Sequence, residues 1–172
     1  MAGGYDHPTM INTMDFVTIA STGNAADFGD LNYTRQNMAA GNSPTRSVFA
    51  NGSYSGSHNT ISYVTTQSQG NALDFGDTTV TRSSRRACNS PTRMLIGGGG
   101  DPAFDPIDFI TFSTKGNAAD FGNLLEAKKY AASASNAVRG LWASGNRTEP
   151  SVFYNRIEFV TIATLGNSQD FG

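Results

Sequence analysis

The chain has 172 residues, of which 15% are charged, and a formal net charge of −2. One domain's length with so few cations excludes a general nucleic-acid or anionic-membrane binder, which needs a basic patch. A single cysteine, Cys88, excludes an internal disulfide framework and a cysteine-based zinc site, and reads as a small buried residue.

No apolar run reaches the roughly 18 residues of a membrane span, so no membrane insertion is expected. No basic start followed by an apolar stretch suggests a signal peptide. Gly, Asn, Ser and Thr are abundant, which favours strands and turns over helices.

The chain opens with Met1-Ala2-Gly3-Gly4-Tyr5, which aligns with the later Phe49–Ser53. A strand-like run follows around Phe16-Val17-Thr18, and matching runs recur at Tyr63-Val64-Thr65, Phe109-Ile110-Thr111 and Phe159-Val160-Thr161. Adjacent apolar residues in these runs must point to opposite faces, so each strand belongs inside a stack of sheets. Polar turns come next and lead into Gly23-Asn24-Ala25-Ala26-Asp27-Phe28-Gly29. That heptad returns from Gly70, Gly116 and Gly166, at spacings of 47, 46 and 50 residues. Gly-Asn predicts a positive-φ hairpin turn, and Asp-Phe-Gly a short outer strand.

A basic residue then stands at a fixed place, at Arg35, Arg82 and Lys128. Small side chains follow it: Ala39-Ala40-Gly41, Ala87-Cys88 and Ala131–Ala134. Ser43-Pro44-Thr45-Arg46, Ser90-Pro91-Thr92-Arg93 and the degenerate Asn136–Arg139 open a last apolar run that ends in glycine. One repeat is therefore four strands: a (small residues), b (after Arg46, Arg93 or Arg139), c (the aromatic run) and d (Asp-Phe-Gly). The stretch 124–134, rich in Leu, Glu, Ala and Lys, is assigned to strand because it aligns without gaps to segments that do not look helical. Four-stranded antiparallel units of this length are the signature of propeller blades.

The order of basic residue, small residues, glycines, aromatic-Val and Gly-Asn resembles the kelch repeat, with Gly97-Gly98 in the place of its double glycine. The run 16–31, with Ser-Pro-Thr-Arg downstream, is similar to a kelch-like repeat in tail-fibre and other virion proteins of marine bacteriophages. The kelch tryptophan and most of the double glycines are missing. The resemblance implies an all-β, kelch-like β-propeller with three and a half blades: a partial blade at 1–29 and blades at 30–76, 77–122 and 123–172. It further implies a virion surface component, otherwise soluble, that acts as a structural or host-attachment module. Its partners would be other virion proteins, additional copies of itself, or a host surface glycan or protein. A cellular kelch-type interaction scaffold is the alternative, and a propeller glycan hydrolase or lyase a third reading.

Two motifs invite other assignments. Asp-Phe-Gly also holds magnesium in protein kinases, but it occurs four times here without a glycine-rich loop, strand lysine or His-Arg-Asp. Arg46, Arg93 and Arg139 could form a ring of anion receptors, or a structural contact repeated in each blade, for instance to Asp27, Asp74, Asp120 or Asp170. The structural contact is the expectation. No nucleophile–base pair, metal cluster or phosphate loop can be assembled, so no enzymatic activity, cofactor or metal is expected.

All length variation falls between the glycine ending strand b and the aromatic of strand c, at separations of 12, 11, 10 and 14 residues. Per-repeat variation in one loop maps to one face of a repeat protein, often the binding face. The first two such loops offer Tyr5, Asp6 and His7, then Tyr54 and His58. The third offers Asp101, Phe104 and Asp105, and the fourth Arg147, Glu149, Phe153 and Tyr154. Aromatics beside hydrogen-bonding groups suit a protein or glycan surface. Because the first repeat lacks strand a and the start of b, the region Met14–Ile19 is expected to be covered by a continuation of the chain or by a second subunit.

Overall fold

The computed structural model describes all of residues 1–172 and contains no helix. The first sheet has three strands, β1 (Ala2–Asp6), β2 (Thr9–Phe16) and β3 (Ala26–Asp30). The second has β4 (Ala39–Asn42), β5 (Arg46–Ala50), β6 (Thr60–Thr65) and β7 (Leu73–Asp77). The third has β8 (Arg86–Asn89), β9 (Arg93–Gly97), β10 (Pro106–Thr111) and β11 (Ala119–Asn123). The fourth begins with β12 (Ala132–Ser135) and β13 (Arg139–Ala143). A hairpin, β14 (Asn146–Arg147) and β15 (Val152–Phe153), interrupts it before β16 (Ile157–Thr161) and β17 (Gln169–Asp170) complete it. Neighbouring strands are antiparallel and follow chain order, so the a-b-c-d reading holds in the three complete sheets. The first unit has three strands, and its β1 comprises the end of strand b and the start of the connection that follows it.

Within 124–134 only Ala132–Ala134 is strand; the preceding residues form bends and a single bridge from Lys129 to Asn146. Helix propensity there is overridden by tertiary bonds: the buried residues 124, 128 and 131 fall at helical spacing, yet Leu124 N bonds Asp105 O, Lys128 N bonds Phe104 O and Lys129 N bonds Asn146 O instead of carbonyls four residues back.

The Ser-Pro-Thr-Arg turn is held by its first side chain. Ser43 Oγ accepts from the amides of Thr45 and Arg46 at 3.3 and 3.0 Å, and Ser90 Oγ from those of Thr92 and Arg93 at 3.3 and 3.1 Å. Asn136 Oδ1 makes the same pair of bonds to Val138 and Arg139, both 2.8 Å, so the degenerate copy keeps the turn with a different acceptor.

The heptad does more than turn the chain. Register slips by one residue between strands c and d in the first three sheets, at Met14/Asp15, Ile61/Ser62 and Ile107/Asp108. The extra residue is the phenylalanine, Phe28, Phe75 or Phe121, and a bulge leaves such a residue out of the ladder. Its carbonyl then accepts from the glycine of the next copy: Gly70 N to Phe28 O, Gly116 N to Phe75 O and Gly166 N to Phe121 O, at 2.8, 2.8 and 2.9 Å. Two residues on, Asp30, Asp77 and Asn123 accept from Ala72, Ala118 and Ser168 at 2.7, 2.7 and 2.9 Å. The asparagine closes the clamp, since Asn71, Asn117 and Asn167 Oδ1 accept from the amides of Asp30, Asp77 and Asn123 at 3.0 Å each. The hairpin turn itself lies earlier, where Ser68 N bonds Thr65 O and Thr114 N bonds Thr111 O. Gly-Asn is thus an inter-sheet clamp rather than the tight turn the sequence suggests.

Apolar layers fill the spaces between successive sheets. Met14, Leu31, Val64 and Ala72 lie between the first and second. Val48, Ile61, Tyr63, Met94, Ile96 and Ile110 lie between the second and third. Leu95, Ile107, Trp142, Val160 and Ile162 lie between the third and fourth. Cys88 is buried in this last layer, where burial pushes its thiol up to about 12. A Cβ on Gly140 would meet its Sγ at 2.2 Å. No helix is long and apolar enough to cross a membrane.

The clamp makes a specific demand on the Asp-Phe-Gly glycine. Gly76 has φ +147°, and a Cβ there would lie 2.4 Å from Gly116 O. Gly76→Ala is expected to destabilise the protein by about 2 kcal/mol or more. Gly23→Ala, where a Cβ meets nothing within 4 Å, should change stability by less than about 0.5 kcal/mol. Urea unfolding of the two variants measures both.

Candidate functional site

The b–c connections and the segments that lead from strand d to the next strand a share one end of the stack. Gly4 N bonds Arg35 O at 2.9 Å, Gly99 N bonds Lys128 O at 2.8 Å, and Asn146 and Lys129 exchange backbone bonds at 3.0 and 2.9 Å. The a–b and c–d turns lie at the other end, tied by Thr66 N to Thr45 O and Phe112 N to Thr92 O.

Each loop at the first end has its own support. In the first repeat the connection is a hairpin extension, so Tyr5 and Asp6 belong to β1 rather than to a free loop. Tyr5 is exposed and meets His7 edge to face at 5.9 Å. In the second, Tyr54 is exposed, and its carbonyl lies 3.0 Å from His58 Nε2. The two histidines therefore pack within separate loops. In the third, Asp101 is tied to Lys129 Nζ at 2.9 Å, while Leu124 N bonds Asp105 O. In the fourth, Phe153 on β15 is 82% exposed, Glu149 is exposed at the hairpin turn and Arg147 on β14 is half-buried.

Two of the expected contact aromatics serve the fold instead. Phe104 is half-buried beneath the Arg82 guanidinium, 5.0 Å from the ring centroid, and Tyr154 is half-buried 5.5 Å from Lys128 Nζ. Both rings cap cationic segments, an interaction that draws them inward. Of the aromatics in the b–c connections, Tyr5, Tyr54 and Phe153 are thus the exposed ones, and Tyr33 and Tyr130 on the d-to-a segments of the same end are exposed as well.

Beneath this face lies a column of buried cations and their acceptors. Arg85, not the aligned Arg82, is the buried residue of the third sheet. It pairs with Asp108 at 2.5 Å and donates to Ile96 O and Gly98 O. Burial lowers its pKa, and Asp108 opposes the shift. Lys128 pairs with Glu158, both fully buried. Arg35 donates to Ser62 Oγ at 2.8 Å and to Asn51 O at 3.2 Å, and burial pulls it down to about 10, still cationic at neutral pH. The signal was present in the sequence: the residue before each strand c aromatic reads Asp15, Ser62, Asp108 and Glu158.

Arg46, Arg93 and Arg139 form a repeated structural contact, with partners other than the aspartates considered above. Their guanidinium groups stack on Tyr63, Phe109 and Phe159 at 4.9, 4.8 and 5.0 Å. Each of these rings meets the Asp-Phe-Gly phenylalanine of its own repeat edge to face at 5.8–6.2 Å. Arg46 also donates to Phe112 O in the next sheet, and Arg93 to Ile162 O and Ala163 O, so these cations are consumed by the stack.

No protein-family model matches the chain, and no curated protein matches it.

The Lys129 ammonium, chiefly through its hydrogen bond, holds the Asp101 carboxyl below the usual carboxylate range. A depressed folded pKa means the tether is complete above the unfolded value of about 3.9 and is lost as pH falls through the folded value. A carbon-detected NMR titration should therefore place the Asp101 midpoint below about 3.9, and Lys129→Ala should return it there. An unchanged midpoint in the variant would contradict the tether.

Proposed function

We propose that the chain is part of a kelch-like β-propeller that serves a phage virion as a non-enzymatic structural or host-attachment module. The four-strand units, stacked in chain order, support the propeller reading, and the resemblance of residues 16–31 supports the virion reading. The attachment role is carried by one observation: the connections that vary in length leave Tyr5, Tyr54 and Phe153 exposed on a single end, over a layer of ion pairs. Rigid exposed aromatics with two side-chain torsions contribute contact area at low entropic cost, which suits a protein or glycan surface. The opposite end presents turns of constant length, tied to one another by Thr66 N to Thr45 O and Phe112 N to Thr92 O.

Binding of the purified chain to an array of bacterial surface glycans and to host envelope proteins tests the reading. Alanine at Tyr5, Tyr54 or Phe153 is expected to weaken a captured ligand by about 1–2 kcal/mol each. Alanine at Thr45 or Gln67, at the other end, should leave it unchanged. The reverse pattern overturns the assignment of the binding face.

A further inference from the structure

The four b–c connections differ in chemistry as well as in length. The second, Asn51-Gly52-Ser53-Tyr54-Ser55-Gly56-Ser57-His58-Asn59, is the only one without Asp, Glu, Lys or Arg, and it has no aliphatic side chain. The third is tied by charge, Asp101 to Lys129, whereas this loop is held by its backbone. Tyr54 N bonds Gly56 O at 2.9 Å, His58 N bonds Gly52 O at 3.0 Å, and Ser53 exchanges bonds with Gln36 at 2.9 and 3.2 Å. Ser55 takes the left-handed conformation, φ 48°, to close the turn.

The backbone is therefore fixed while the side chains stay free. The one hydrogen bond made by a side chain of residues 53–59 joins His58 Nε2 to Tyr54 O at 3.0 Å. Tyr54, Ser55 and Ser57 are exposed, with hydroxyls that bond nothing in the protein.

A second tyrosine stands beside this loop. The Gln36–Ser53 bridge is antiparallel, so residues before Gln36 run alongside residues after Ser53. Tyr33 and Tyr54 thus lie on the same side of the bridge, 56% and 52% exposed. Neither is exposed for want of a neighbouring segment. Arg35 O accepts from Gly4 N on one side, and Asn51 Nδ2 donates to Thr78 Oγ1 and Val80 O on the other.

We propose that Tyr33 and the loop 53–59 form a subsite for a neutral sugar. The proposal rests on the reading of this end as a binding face, and names the ligand class at one place on it. A sugar ring carries C–H groups on its faces and hydroxyls around its rim. The tyrosine rings suit the faces, and the free serine and tyrosine hydroxyls suit the rim. Each tyrosine has only two torsions to fix, so the contact costs little entropy. A protein partner fits less well, because a stable interface takes about 20–30 residues a side around an apolar centre, which this loop lacks. An acidic sugar finds no free cation, since Arg35 is buried with its guanidinium on Ser62 and Asn51.

The experiment screens the whole chain by NMR against a panel of neutral oligosaccharides and their sialylated or uronic-acid counterparts, and titrates the strongest. Saturable binding of a neutral member is expected, with movement of the Ser53–His58 amide signals and little dependence on salt. Tyr33→Ala and Tyr54→Ala should each weaken it at least about tenfold. Tyr54→Phe, which keeps the ring, should lose less than Tyr54→Ala. Both rings are exposed, so thermal unfolding of the variants should match that of the unaltered chain. No saturable binding of any neutral member up to about 10 mM overturns the proposal. The face reading survives that result if Phe153→Ala still weakens a captured protein. Tighter binding of the acidic counterparts, or a neutral sugar whose affinity neither tyrosine variant changes, also overturns the proposal. Loss of the sugar on Thr45→Ala or Gln67→Ala instead would overturn the face reading and the subsite together.

Discussion

The architecture depends on one interaction, the clamp between the Gly-Asn of each repeat and the Asp-Phe-Gly of the repeat before it. A stack of sheets must solve a backbone problem at each outer strand, because a strand at the edge presents unpaired amides and carbonyls. Here the bulge at the phenylalanine turns a carbonyl outward, and the next repeat supplies the amide. The same displacement sets Phe75 and Phe121 against the aromatic of strand c, so one irregularity serves both hydrogen bonding and packing. Glycine is required because the clamp brings two backbones together where a Cβ would lie 2.4–2.5 Å from a carbonyl oxygen.

Around that clamp the other repeated residues fall into place. At one end, arginine stacks on the strand c ring and reaches a carbonyl of the following sheet. At the other, a buried cation fixes the segment entering each strand a against an acid or hydroxyl of strand c. Breaking one partner of such a pair costs about 3–5 kcal/mol, because the remaining charge stays buried. This makes the layer beneath the variable loops rigid, while the loops above it are free to differ.

Strand number and order were legible because small, β-branched and turn-forming residues recur in fixed columns. Contacts between sheets were less so, for physical reasons. Arg82 aligns with Arg35 and Lys128, yet Arg85 fills the buried place: an arginine three positions on reaches the same carboxylate, and an alignment records backbone position rather than reach. Gly-Asn read as a hairpin turn because a single strand pair offers that use; its docking partner lies 42 residues away from Gly70, at Phe28. The inward turn of Phe104 and Tyr154 depends on the cations Arg82 and Lys128 from a different segment. That the variable loops share one end of the stack was legible from their lengths; which of their aromatics stay exposed was not, because it depends on the cations that support each loop.

Hydrogen exchange tests the clamp most directly, because the four heptads have nearly the same sequence and differ in their neighbours. Gly70, Ala72, Gly116, Ala118, Gly166 and Ser168 donate to the preceding sheet, whereas Gly23 and Ala25 have no backbone acceptor. Exchange at the six amides is expected to be slowed by orders of magnitude over the free rate, with Gly23 and Ala25 exchanging near it. Equal exchange in all four copies would contradict the account, since protection would then come from the local turn and not from the adjoining sheet.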